Sequence, residues 1–132
     1  MSSTLMIPPA VVPRVREGAV ALLTQLGAEL SDATWYPEQC EPLYQQVQEQ
    51  WALLDVIGWA DDDDHGETIE ADVASIGKPL RLAVDEMTPS LKQWLGEMDE
   101  HEPARPARAE ELRLMQQFRI QVRRAVKGRR GQ

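Results

Sequence analysis

The fold is decided by residues 69–98, which read IEADVASIGKPLRLAVDEMTPSLKQWLGEM. Apolar side chains recur there at steps of three or four residues, which is typical of one buried face of an α-helix. They fall at Ile69, Val73, Ile76, Leu80, Val84, Met87, Leu91, Trp94 and Met98. Each proline removes a backbone hydrogen bond, so we expect a kink at Pro79 and a break at Pro89, after which Ser90 and Gln93 have capping-box spacing.

The same periodicity continues on both sides of this region. It predicts helices over about 10–31, from 38 or 42 to 57, and from 106 to 127. Asp64 and Glu67 have the spacing of a capping box at the start of the third helical region. Gly58 and Gly128 suit helix ends, because glycine accepts the left-handed conformation, and a basic tail from about 128 is expected to fray.

No convincing alternation of β-branched residues predicts a strand. The length of 132 residues suits one domain with its own core. The sequence therefore predicts an all-α fold, with residues 1–132 forming one bundle of four to five amphipathic helices.

Cysteine and terminal composition indicate the compartment. Cys40 is the single cysteine, so no disulfide can form within the chain. Residues 1–12 resemble neither a signal peptide nor a membrane span, since they lack a basic segment and are interrupted by prolines. We expect a cytoplasmic protein without a membrane partner. Asparagine is absent and arginine far outnumbers lysine, which favours a GC-rich bacterial genome.

Charge is segregated along the chain. Residues 1–103 carry every acidic residue except Glu110 and Glu111, whereas residues 104–132 carry nine of the 14 basic residues. Four of these cations share one face of the last predicted helix, namely Arg119, Arg123, Lys127 and Arg130. Such a face could contact phosphates of nucleic acid, but the acidic remainder of the chain would repel a polyanion.

Three other interpretations of this basic face compete with nucleic-acid binding. Cations near a helix C-terminus interact favourably with the helix dipole, and a polar face opposite the core is ordinary. The face could also pair with the acidic part of the chain, within the protein or across an oligomer. We favour charge pairing and expect no nucleic-acid partner.

An acidic segment runs from Asp61 to Asp72. Counted from Asp61, it places Asp63 and Asp72 at positions 3 and 12 of an EF-hand loop. His65, however, stands at position 5, where calcium needs an oxygen ligand, and Asp72 is shorter than the usual glutamate. We expect a solvated capping loop without calcium.

The histidines suggest a second metal hypothesis. Glu97 and His101 are four residues apart and could together contribute two ligands to a transition metal. A di-iron bundle needs Glu-x-x-His pairs, and neither His65 nor His101 completes one. We expect surface histidines, no metal site and no other cofactor.

No residue pattern identifies a catalytic group. Cys40 has no histidine or cation close to it in the sequence that would lower the pKa of its thiol. Trp51 and Trp94 lie at helical spacing and are expected in the core. Trp35 and Tyr36 could anchor a partner, since such residues dominate interfaces, but a loop clamped on the end of the bundle is the favoured interpretation.

These observations favour a small non-enzymatic helical protein that binds another protein, as an adaptor, regulator or neutralising partner. A homodimer is consistent with an acidic body and a basic helix on the same chain. The first alternative is a protein that associates with nucleic acid through residues 105–130 or mimics a polyanion with its acidic body. The second alternative is a metal-dependent helical enzyme.

Overall fold

The computed structural model describes residues 4–60 and 66–130, except for the side chains of 129 and 130. In chain order, these residues form β1 (Thr4–Ile7), α1 (Val12–Asp32), α2 (Pro37–Ile57), β2 (Ile69–Asp72), α3 (Val73–Glu97) and α4 (Arg105–Arg130). The predicted all-α bundle is confirmed, with one small sheet beside it. No helix in the described ranges is both long enough and apolar enough to cross a membrane.

Helix α3 lies at the centre and packs against α1, α2 and α4. Its predicted apolar face is buried over most of its length, at Val73, Ile76, Leu80, Val84, Met87 and Leu91. The break expected at Pro89 is wrong, because α3 continues through Pro79 and Pro89. Packing on several sides outweighs the cost of about 3 kcal/mol for each internal proline. The Ser90 hydroxyl donates to the Glu86 carbonyl instead of capping a new helix.

The two strands form an antiparallel pair that the sequence did not predict. Thr4 faces Asp72 and Ile7 faces Ile69, with Ile7 and Ala71 pointing into the core. We expected helix throughout residues 69–72, which is wrong. A four-residue alternation is too short to be distinguished from helical spacing, and its partner lies more than 60 residues away along the chain.

Helix α3 consequently begins later than expected. Asp72 is its N-cap, and its carboxylate accepts hydrogen bonds from the Ala74 backbone N–H at 3.0 Å and the Ser75 hydroxyl at 3.1 Å. Glu67 is not helical, so it caps no helix, and Asp64 lies outside the described residues. At the other end of the chain, α4 continues past Gly128, where we expected it to stop.

The core of α4 is as predicted, and in α2 the predicted Leu54 and Ile57 are buried whereas Trp51 is not. Leu112, Met115, Phe118 and Val122 are buried. Gln50 of α2 is also buried, only 2% exposed, whereas the neighbouring Trp51 is 48% exposed. The Gln50 amide reaches α3 and donates to the Pro79 carbonyl at 3.3 Å. This contact places a polar side chain where the apolar pattern predicted an indole.

Trp94 is also outside the core, contrary to expectation, with 40% of its surface exposed. Two guanidinium groups lie over its ring, those of Arg14 at 5.9 Å and Arg108 at 5.8 Å from the ring centroid. Both arginines also hydrogen-bond Glu111. Because the indole can interact with cations through its ring face, it is stabilised at the surface rather than inside.

Candidate functional site

A tight, well-bonded turn joins α1 to α2 at residues 33–36. The Ala33 carbonyl accepts the Tyr36 backbone N–H at 2.9 Å and the Cys40 thiol at 3.2 Å. The Thr34 hydroxyl donates back to the last turn of α1, to the Ser31 carbonyl at 2.9 Å. These bonds give the turn a defined shape, and they place Cys40 as a half-buried structural thiol.

This turn holds two large aromatic side chains in solvent. Trp35 is 86% exposed and Tyr36 is 53% exposed. The loop clamp that we favoured for these residues is therefore wrong, since neither ring is buried on the end of the bundle. Tyr44 is exposed as well and lies about 10 Å along α2 from its start. We call Trp35 and Tyr36 the aromatic surface.

A cavity of about 400 Å³ adjoins the aromatic surface. Its lining residues include Tyr36 and, from the last turn of α1, Glu29 and Asp32. Negative charge at that position is unfavourable for the helix, because the helix dipole already presents partial negative charge there. No basic residue occupies this turn to compensate. Helix stability does not account for the two carboxylates, and a cationic ligand would neutralise them.

The predicted basic face of α4 lies against α3. Arg119 Nε donates to Asp85 Oδ1 at 2.8 Å, and Arg123 reaches the same oxygen at 3.3 Å. The predicted charge pairing is thus present within the chain for these two arginines. Lys127 is exposed one turn further on, and the side chain of Arg130 lies outside the described part of the structure.

The candidate metal ligands are not brought together where the structure describes them. Asp72 caps the start of α3 and Glu97 is its last residue, so the two are separated by about 37 Å of helix. His101 lies in the following turn, where its backbone N–H donates to Asp99. Within residues 4–60 and 66–130, no three His, Cys, Asp or Glu side chains are grouped as metal ligands. Asp61, Asp63 and His65 lie outside these ranges.

No known protein family, curated protein or solved structure matches this chain. The inference of function therefore rests on the exposed aromatic residues and the acidic cavity beside them. Sequence reasoning identified Trp35 and Tyr36 but missed Glu29 and Asp32. A signal was present for the two acids, because they are three residues apart in the last predicted turn before the aromatic pair, where cations are normally favoured.

Proposed function

We propose that this chain is a small non-enzymatic domain that binds another protein through the aromatic surface. The observation that carries the proposal is Trp35, which is 86% exposed on a hydrogen-bonded turn. Tryptophan and tyrosine are enriched among the residues that contribute most to binding energy. A turn whose shape is already defined loses little conformational entropy when a partner binds.

The chemistry around the aromatic surface favours a basic segment of the partner. A lysine or arginine entering the cavity would meet the carboxylates of Glu29 and Asp32 beside the Tyr36 ring. Aromatic faces attract cations, and carboxylates attract them more strongly where water is excluded. Glu38 and Glu41 are exposed at the start of α2 and extend the negative field around this end of the bundle. We infer that the partner presents cations interspersed with apolar side chains.

Such binding fits an adaptor, a regulator or a neutralising partner acting in the cytoplasm. A partner with exposed cations would be screened or blocked by an acidic domain, and the net charge of −8 supports attraction over distance. A second copy of the chain also has a basic helix, α4, so self-association is one outcome that the experiment must distinguish.

The proposal can be tested with a fluorescently labelled peptide in which arginine and lysine alternate with leucine. We expect saturable binding by fluorescence anisotropy, weakened at least about tenfold by Trp35→Ala, since a loss of this size corresponds to about 1.4 kcal/mol. Glu29→Gln with Asp32→Asn should weaken binding further. The matched control is Trp51→Ala, which removes an exposed indole from the middle of α2 and should leave affinity within about twofold.

Two results would overturn the proposal. One is peptide binding that Trp35→Ala leaves unchanged, since the aromatic surface would then have no role. The other is equal binding of a glutamate–leucine peptide, which would exclude recognition of a basic segment. Sedimentation of the parent and of Trp35→Ala separates self-association from binding to another protein, because a dimer lost in the variant would identify the partner as a second copy.

A further inference from the structure

Helices α3 and α4 run antiparallel, so that residues four apart on one helix lie opposite residues four apart on the other. On α3 the series is Gly77, Arg81 and Asp85, and on α4 it is Arg119, Arg123 and Lys127, each spaced by four residues. At one end of this series, the Asp85 carboxylate forms ion pairs with Arg119 and Arg123. At the other end, the Gly77 backbone lies close to Val126, so the helices are in tight contact there.

Between the Asp85 end and the Gly77 end of this contact, cations face cations instead of carboxylates. Arg81, Arg123 and Lys127 line one cleft of about 260 Å³, with Val126 as its apolar wall. All three side chains are cationic, and like charges that share a cleft repel one another. Within the described residues, neither Arg81 nor Lys127 is within ion-pair distance of a carboxylate, and Arg123 pairs with Asp85 at 3.3 Å.

Arg81 adds a second, independent observation. Its Nε is shielded from solvent, yet it has no hydrogen-bond partner among the described residues. A buried donor without an acceptor is unfavourable by about 1–3 kcal/mol, so its persistence calls for an explanation. An oxyanion in the cleft would offset the repulsion among the three cations, and a small shift of the Arg81 side chain would let its Nε–H reach that anion.

We propose that the cleft formed by Arg81, Arg123 and Lys127 binds the phosphoryl group of a phosphomonoester. Three positive charges match a phosphomonoester, which carries close to two negative charges at neutral pH, better than a single carboxylate. Guanidinium groups bind phosphate oxygens through paired hydrogen bonds, while lysine contributes a compact charge. The site is separate from the aromatic surface and does not depend on the function proposed for it.

The surroundings favour a single phosphoryl group over a nucleic-acid backbone. Arg119 and Arg123 are partly neutralised by Asp85, so the basic face is interrupted by a carboxylate rather than continuous. The chain as a whole is acidic, with a net charge of −8. A polyanion would meet repulsion beyond the cleft, whereas one terminal group needs only the three cations that line it.

Asp85 has a further role in this arrangement. Its carboxylate holds Arg123 at 3.3 Å and so competes with any anion for the same guanidinium. Removing the negative charge would free Arg123 to face the cleft. Asp85→Asn should therefore increase phosphate affinity several-fold, which is a gain that a merely destabilised protein would not show.

Calorimetry and NMR titration of the full chain with inorganic phosphate test the proposal at constant ionic strength. We expect phosphate to perturb the amide signals of Arg81, Arg123 and Lys127, and acetate to bind at least about tenfold more weakly. Arg81→Met and Lys127→Gln should each weaken phosphate binding by about tenfold, the loss expected for one charge-assisted hydrogen bond. Arg124→Gln is the matched control, since Arg124 is also exposed on α4 but does not line the cleft.

The source of the phosphoryl group is distinguished by two further ligands. A phosphoserine peptide that binds more tightly than phosphate, with no binding of its unphosphorylated form, would identify a modified protein as the source. A sugar phosphate that binds more tightly than the phosphopeptide would identify a small metabolite.

Several results would overturn the proposal. These are equal affinity for acetate and phosphate, no binding of phosphate, or binding that Arg81→Met, Lys127→Gln and Arg124→Gln reduce equally. Lys127→Gln keeps the test valid if Arg81→Met fails to fold, because Lys127 is exposed near the end of α4.

Discussion

Gly18 of α1 lies directly against the backbone of Ala83 in α3. A Cβ atom built on Gly18 would come within 2.3 Å of the Ala83 carbonyl oxygen and 2.8 Å of the Met87 side chain. The absence of a side chain at Gly18 is what allows the two helices to approach this closely. Because the nearest atom belongs to the backbone of the central helix, it cannot rotate away.

Gly18→Ala should therefore destabilise the domain although alanine favours helix. We expect overpacking to lower the free energy of unfolding by about 1–3 kcal/mol. Gly27→Ala is the matched control on the same helix, since nothing lies within 4 Å of a Cβ placed there. It should stabilise the domain by about 0.5–1 kcal/mol through helix propensity alone. Urea unfolding followed by circular dichroism measures both, and equal effects at the two glycines would contradict the close approach.

Arg16 should be one of the most sensitive charged residues of the fold. It is buried, and its guanidinium donates to the Gly58 carbonyl at 2.9 Å and the Ile57 carbonyl at 3.3 Å, at the C-terminal end of α2. Arg16→Met leaves these carbonyls without their cationic donor, and we expect a loss of about 3 kcal/mol in thermal or urea unfolding. Arg124→Met, an exposed comparison on α4, should change stability by less than about 0.5 kcal/mol.

Two substitutions of Gln50 should affect the free energy of unfolding differently. Its Nε2 donates to Pro79, but its Oε1 is buried without a partner in the described structure. Gln50→Met keeps the volume and removes the unpaired oxygen, so we expect unchanged or increased stability, by up to about 1 kcal/mol. Gln50→Ala leaves a cavity and should cost about 2 kcal/mol or more. A large loss in the methionine variant would show that the bond to Pro79 outweighs the unpaired oxygen.

The Glu110 carboxyl should titrate below its ordinary range. A hydrogen bond from Arg113, three residues further along α4, lowers the pKa of Glu110. Since the pKa is lower in the folded state, the pair stabilises the fold above the unfolded pKa of about 4.3, and this contribution is lost as pH falls through the folded value. Carboxyl NMR titration should show the shift abolished by Arg113→Gln and retained in Arg124→Gln. A pKa unchanged by Arg113→Gln would contradict this assignment.

The helices could be predicted from sequence because each one buries a periodic apolar face. In α4 the buried positions are those that the spacing indicates, from Leu112 to Val122. The charge pairing of Arg119 and Arg123 could also be anticipated, since an acidic body and a basic helix belong to one chain. Its acceptor, Asp85, could not be identified, because the antiparallel register of α3 and α4 is set by packing rather than by charge pattern.

Other features depend on contacts that no local pattern encodes. Gln50 rather than Trp51 is buried, and its amide donates to a carbonyl on another helix. Trp94 is held at the surface by cations from two different helices, which periodicity cannot reveal. The cleft at Arg81 exists only because α4 brings two further cations beside it. In each case the deciding partner is distant in sequence.

The pairing of β1 with β2 has a consequence for how the chain acquires its structure during synthesis. Ile7 is synthesised well before the strand that pairs with it, since that strand ends at Asp72. A nascent chain that stops before residue 69 has no partner strand for β1, whatever helices it has formed. This pairing joins two segments that are more than 60 residues apart, so it can form only after residues 69–72 have been translated.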